Sequence, residues 1–151
     1  MKDLIETFYT GLKERDSDKM IACYHDNIIF EDPAFGKLKG ERAKKMWKML
    51  CKNGKNLYID FSNIKADDQQ GSAHWEAKYT FSQTGRAVHN KIDAQFEFKD
   101  GKIVRHTDHF NLRQWAGQAM GWKGKLLGGT NFFKNKLHQQ TNKTLDQFRV
   151  S

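Results

Sequence analysis

The sequence predicts an α+β fold, with helices at both ends of the chain and an antiparallel sheet between them. Two observations carry this. Apolar residues recur at a helical spacing up to about Lys52, alternate one by one from Asn56 to Phe110, and return to a helical spacing after Asn111. The alternating runs are joined by Asp67–Gly71, Thr84-Gly85 and Asp100-Gly101, which is hairpin chemistry. Helices segregated from a meander give α+β rather than α/β.

Leu4, Ile5, Phe8, Tyr9 and Leu12 form the stripe of a first helix over 2–14. Asp16-Ser17-Asp18 stops it and caps a short second helix that continues to about His25. Ile28-Ile29-Phe30 is a short strand, and Pro33 forces Asp32 out of helical geometry. A loop bracketed by Gly36 and Gly40 follows. Ala43, Met46, Trp47 and Leu50 mark a third helix from about Glu41 to Lys52, closed by Asn53-Gly54. Four long strands are expected over Asn56–Ala66, Ser72–Gln83, Ala87–Lys99 and Lys102–Phe110, in a strongly twisted sheet. Leu112, Trp115, Ala116, Ala119 and Met120 begin a helical tail. It is interrupted over Gly121–Gly129 and resumes with Phe132, Phe133, Leu137, Leu145 and Phe148.

At 151 residues the chain is read as one domain, a body over 1–110 and a helical extension over 111–151. No apolar run approaches the roughly 18 residues of a membrane span. The opening MKDLIETFYTGLKERD mixes acids and bases with its apolar residues, unlike a secretory leader. Cys23 and Cys51 lack framework spacing and read as free thiols, which favours a cytoplasmic location. The net charge is +8, and +6 of it lies between Asn111 and the C-terminus, so the body is nearly balanced. That distribution argues against a nucleic-acid-binding body.

The element order, with Phe30-Glu31-Asp32-Pro33 just before the third helix, resembles the nuclear transport factor 2-like superfamily, which includes ketosteroid isomerase, limonene epoxide hydrolase and the SnoaL-like polyketide cyclases. The resemblance covers about residues 2–110, and 102–127 looks like SnoaL-like proteins with an added C-terminal helical segment. It implies a cone: a strongly bent antiparallel sheet wrapped by the N-terminal helices around a small-molecule pocket. It also implies a homodimer through the outer face of the sheet. Asp32 matches the isomerase's general base, in the same Glu-Asp-Pro setting. The isomerase's oxyanion-hole tyrosine falls on Phe8, so that donor is missing, and Tyr9 points about 100° away round the helix. Asp93 matches the second, protonated aspartate, subject to the hairpin register. Without the tyrosine, steroid isomerisation is disfavoured. The epoxide hydrolase's Asp–Arg–Asp set has no counterpart.

On the last strand Val104, His106, Asp108 and Phe110 share one face by alternation, and the resemblance turns that face into the pocket. His106 and Asp108 then lie about 7 Å apart at Cα, enough to hold one substrate or water between them. With Asp32 they form two carboxylates and an imidazole around one cavity, an acid–base set. Trp75 and Tyr79, with Phe110, Phe8 and Trp47, are expected to line it, and Asp93 joins them if its register holds. Each has a plainer alternative: Asp32 as a turn residue bonding its own backbone, His106 and Asp108 as a pair that supports the sheet, the aromatics as core. His106, Asp108 and Asp32 are too few converging ligands for a metal, and no cofactor is expected. Neither cysteine has a partner histidine, and Gly124–Gly129 lacks the ending of a phosphate loop.

Two functions compete at this level. One is an isomerase, cyclase or hydratase that takes a hydrophobic, carbonyl-bearing substrate, with Asp32 as base. The other is a non-catalytic ligand-binding or dimeric interaction module. Three readings fit the tail: packing on the cone, covering the pocket mouth or a dimer partner, or lying on an anionic membrane or nucleic acid.

Overall fold

A computed structural model of the chain describes residues 1–54 and 56–150; Ser151, the end of the expected extension, lies outside them. The described helices are α1 (Lys2–Glu14), α2 (Ser17–Ile21), α3 (Glu41–Asn53), α4 (Leu112–Met120), α5 (Trp122–Leu127) and α6 (Asn131–Gln147). The described strands are β1 (Tyr24–Asp32), β2 (Gly36–Lys39), β3 (Tyr58–Ala66), β4 (Gln70–Phe81), β5 (Arg86–Lys99) and β6 (Lys102–His109). They form one open sheet in the order β2-β1-β6-β5-β4-β3. The α+β class and the meander β3 to β6 are as the sequence predicts.

Three elements differ from expectation. The second helix stops at Ile21, and the chain enters β1 at Tyr24, where Ile103 donates to the Cys23 carbonyl at 2.9 Å. The loop bracketed by Gly36 and Gly40 contains β2, which pairs with β1 from Ile29↔Lys39 to Asp32↔Gly36 across the Pro33 turn. The sheet is mixed rather than purely antiparallel: β1 runs parallel to β6, with Phe30 opposite His106. A parallel pairing is open to β1 because everything from β2 to β5 intervenes before β6 returns beside it.

Register decides which side chains reach the interior. β4 and β5 pair without interruption from Gln70↔Glu97 to Phe81↔Arg86. β5 and β6 are joined at Asp100-Gly101, where both φ values are positive (54° and 74°), the geometry of the favoured two-residue hairpin turn. The next pairs are Phe98↔Ile103 and Glu97↔Arg105, so Val104 is an extra residue in β6. This bulge corrects simple alternation: Ile103 is buried, Val104 is only partly so, and His106 and Asp108 keep the inner face.

The inner face of the sheet is covered by α1 and α3. The α1 stripe Ile5, Phe8, Tyr9 and Leu12 is wholly buried, as are Met46 and Trp47 of α3. The rings interlock: Phe8 stands edge-on to Trp47 at 5.5 Å and stacks on Tyr24 at 5.2 Å, while Tyr9 stacks on Phe61 at 5.7 Å. Such contacts add about 0.5–1.5 kcal/mol per pair to the burial itself.

The extension builds a second apolar cluster of Val88, Trp115, Ala116, Ala119 and Leu137, with Tyr79, Phe81, Phe110 and Phe133 at its margin. Its helices are capped as the sequence demands: Asn111 accepts from Gln114 N–H and Thr130 from Phe133 N–H.

Candidate functional site

The last strand sets the site. His106 has no exposed surface and Asp108 only 3%, and both ring nitrogens of His106 and Oδ1 of Asp108 are hydrogen-bonded on the inner face. Trp47 Nε1–H donates to the Tyr24 hydroxyl at 2.8 Å, and Tyr24 lies 2.8 Å from His106 Nδ1. His106 Nε2 lies 2.9 Å from Asp108 Oδ1, which also accepts from Trp75 Nε1–H at 3.3 Å. An indole can only donate, so the Tyr24 proton is free to go to Nδ1, and the imidazole then donates from Nε2 to Asp108. The chain thus runs in one direction, from Trp47 to Asp108. Its surroundings are apolar: Trp47 stacks on the imidazole at 6.1 Å, and Phe8, Phe30 and Phe96 enclose it at 4.5–5.3 Å. Burial of this kind makes each bond stronger and each missing partner costlier.

Asp32 ends β1, at the turn into β2. Its Oδ1 accepts from the N–H groups of Ala34 (2.9 Å) and Phe35 (2.6 Å). These bonds favour the carboxylate, yet the pKa is pushed up to about 7. Burial is the largest cause, and the negative charges of Asp108 and Glu31 add to it. Two carboxyl groups thus sense each other inside one apolar wall. Asp32 also acts on Tyr79, whose phenol burial raises first, with the Asp32 charge adding to it. The Tyr79 oxygen accepts from Trp115 Nε1–H at 2.7 Å, which ties this end of the site to α4.

Tyr9 completes the set, and residue types alone did not single it out. Its hydroxyl is wholly buried and has no hydrogen-bond partner among the described residues. Its pKa is raised well above 10, by burial first and then by the charges of Asp108 and Tyr24. An orphan hydroxyl of this kind costs about 1–3 kcal/mol. Tyr24 falls in the stretch that the sequence reads as the second helix, core or cavity lining, and its bond to His106 becomes visible only when β1 is brought alongside β6.

The expected residues separate into groups. His106 and Asp108 meet Trp75, Trp47 and Phe8 on the inner face, and Asp32, at the end of β1, feels the Asp108 charge without touching it; Tyr79 and Phe110 mark the junction with the second cluster. Asp93 does not join them. The register places Asp93 opposite His74, exposed on the outer face, where it bonds His74 Nδ1 at 2.9 Å. It belongs to an outer chain in which Glu76 bridges His74 (2.7 Å) and His89 (2.6 Å). Among the described residues, surface grooves lie beside Lys65, Gln95 and Arg105 (about 630 Å³) and beside Arg15, Lys48 and Phe148 (about 350 Å³). Neither borders Asp32, His106 or Asp108. Among the described residues, no three His, Cys, Asp or Glu side chains converge as metal ligands would.

The extension reaches the same turn from behind. His138 Nε2 lies 2.8 Å from the Pro33 carbonyl, Thr141 Oγ1–H donates to the Ala34 carbonyl at 2.9 Å, and Asn142 Nδ2–H to that of Phe35 at 3.0 Å. The first two carbonyls belong to the very peptide groups whose N–H bonds hold Asp32. Arg42 fastens α6 to α3 through Asn142 (2.7 Å) and Asp146 (2.6 Å).

Comparison with known proteins agrees with this architecture. The model of the SnoaL-like domain matches residues 5–106, and the chain belongs to that family. No protein of curated function matches in sequence. Among solved structures, an NTF2-like protein of unknown function from Burkholderia pseudomallei is 13% identical with a TM-score of 0.67, over 78% of this chain and 95% of that one. A putative polyketide cyclase from Xanthomonas campestris pv. campestris is 19% identical (TM-score 0.63; 77% and 93%). An epoxide hydrolase resembling limonene epoxide hydrolase, from M. tuberculosis, is 21% identical (TM-score 0.60; 83% and 89%). At these identities the likeness is one of fold.

Proposed function

We propose that this SnoaL-like chain is an acid–base catalyst of the isomerase or cyclase type, acting on a small, hydrophobic, carbonyl-bearing ligand. The observation that carries the reading is the unpartnered Tyr9 hydroxyl, buried within the field of Asp108, whose charge also reaches Asp32. A buried donor without a partner is a place made for a ligand oxygen. In the proposed step the ligand carbonyl accepts from Tyr9 O–H. Asp32 as carboxylate takes a proton from the adjacent carbon, and as carboxylic acid returns it elsewhere on the enolate. A pKa of about 7 supplies both forms at neutral pH. His106 and Asp108 supply a fixed charge and a proton path beside the reacting oxygen, and Trp75, Tyr79 and Phe110 form the apolar wall.

The comparison with a putative polyketide cyclase and an epoxide hydrolase supports a small-molecule role of this general kind. Free, buried Cys23 and Cys51 support a reducing, cytoplasmic setting. Pairing of two copies through the outer sheet face is part of the same proposal.

A second reading has its own support. His106 and Asp108 are satisfied internally, and neither groove reaches them, as suits a non-catalytic binding module. Deuterium uptake separates the two. In D₂O, 2-tetralone and cyclohexanone should exchange their α-hydrogens faster with protein than with buffer, and Asp32→Asn should lower that rate by about 10²-fold or more. Binding of these ketones without exchange would leave the binding module. Exchange that survives Asp32→Asn would remove Asp32 as the base.

A further inference from the structure

The short helix α5 is built inside out. Its small residues face the protein: Gly124 and Gly128 are buried, and a Cβ on Gly124 would collide with the Ala116 carbonyl of α4. At 100° per residue, Trp122 and Leu126 each fall about 160° from Gly124, on the face turned away from α4. They are 69% and 66% exposed. Lys123 and Lys125 fall about 100° to either side; the Lys125 stem lies along Gly117 of α4, and Lys123 stands by the Trp122 ring. The start of α6 repeats the arrangement. Phe132 is 67% exposed, and Lys136, one turn on, holds its ammonium 5.4 Å from the ring, as Lys123 does over Trp122 at 5.8 Å.

The charge around this ridge has one sign. Between Asp108 and Asp146 the chain has no acidic residue, while Arg113, Lys123, Lys125, Lys134, Lys136 and Lys143 all lie there. Folding gains nothing from a tryptophan, a leucine and a phenylalanine in water. No helix of the described residues is long and apolar enough to cross a membrane, so insertion of a span is not the use.

We infer that the α5–α6 corner is an interfacial membrane-docking surface for bilayers rich in anionic phospholipid. Trp122, Leu126 and Phe132 enter the headgroup–acyl boundary, and the flanking lysines meet lipid phosphates and carboxylates. Charge complementarity selects this occupant. A second copy of the same patch would bring like charges together, and a nucleic acid offers nothing to an exposed leucine. The inference is independent of the chemistry proposed for Asp32.

Trp122 is its own reporter, because Trp47, Trp75 and Trp115 are all buried. Full-length protein is mixed with vesicles of phosphatidylcholine containing about one third phosphatidylserine, and with phosphatidylcholine alone. The expected result is co-sedimentation with the anionic vesicles only, weakened by salt. Emission should shift to the blue, acrylamide quenching should fall, and brominated acyl chains should quench the signal. Leu126→Asn with Phe132→Asn should weaken vesicle binding at least about tenfold, and Lys123→Gln with Lys125→Gln by a similar factor. These sites are exposed, so circular dichroism and melting should be unchanged. Failure to bind anionic vesicles at low salt overturns the inference. So does binding that ignores Leu126→Asn with Phe132→Asn, since the ridge would then not insert. Trp122 already shielded without lipid, in a protein that light scattering shows to be dimeric, would assign the ridge to a second copy instead. Binding to an RNA or DNA oligonucleotide but not to vesicles would assign it to nucleic acid.

Discussion

Replacing Asp32 by Asn tests the electrostatics of the site without asking for a substrate. The asparagine keeps the shape, and its oxygen can still accept from Ala34 and Phe35 N–H. It cannot ionise. In the wild type the carboxyl has a folded-state pKa of about 7 against an ordinary 3.8. Between these values the folded chain holds a proton that the unfolded chain has released. Stability therefore falls as pH rises through this window, and levels off above the folded-state value. Taking both titrations together, Asp32 costs the wild type ~2–3 kcal/mol more at pH 8 than at pH 5. Asp32→Asn escapes that cost, so its stability relative to wild type should improve by ~2–3 kcal/mol over the same interval, about 5–10 °C in Tm for a chain of this size. Comparing each protein with itself at two pH values cancels any fixed offset of the substitution. The assay is urea or thermal unfolding followed by circular dichroism at pH 5 and pH 8. An unchanged gap between variant and wild type would refute the reasoning: Asp32 would then be a turn carboxylate that its two N–H donors keep ionised.

Tyr9→Phe removes the orphan hydroxyl and should leave stability unchanged or raise it by about 1 kcal/mol, while ketone exchange falls; urea midpoints and deuterium uptake measure the two sides. His106→Leu strands the Tyr24 hydroxyl and the buried Asp108 carboxylate, and should cost about 3–5 kcal/mol in chemical denaturation; a loss below about 1 kcal/mol would mean the chain of bonds is open to water. Thr141→Ala with Asn142→Ala frees the turn that holds Asp32, and amide hydrogen exchange at Ala34 and Phe35 should quicken while the amides of β4 and β5 keep their protection.

Local chemistry made much of the fold legible. Alternation gave β3 to β6 nearly to the residue, since each long strand has one wet and one dry face. The Asp100-Gly101 hairpin followed from two residues that tolerate positive φ. What failed was non-local. Nothing local to Gly36–Lys39 marks it as a strand; it is one because β1 offers an edge. The bulge at Val104 is set by pairing between strands, so simple alternation put Val104 where Ile103 belongs. Asp93 illustrates the same limit, because its face depends on register and a one-residue difference reverses it. His106 and Asp108 were legible as an inward pair. Their partners Tyr24, Trp47 and Trp75 come from three other elements, and aromatic residues with polar tips look like core until the tips meet.

The least legible part of the site is the support of Asp32, which lies outside the region matched by the family model. That match ends at residue 106, before Asp108 and before all of α4–α6. Yet the two peptide groups that donate to Asp32 each have their carbonyl held by α6, through His138 and Thr141. A donor placed on a peptide carbonyl polarises the N–H of the same group and strengthens its bond. The bonds from Phe35 and Ala34 are the terms that pull the Asp32 pKa down against burial. Removing the helix would therefore do more than uncover the turn. It would weaken the donors that favour the carboxylate while relieving the burial that disfavours it, two effects that oppose each other on the Asp32 carboxyl. In this chain the extension supports the candidate site as the strand that carries Asp108 does, because it holds the two peptide groups that donate to Asp32.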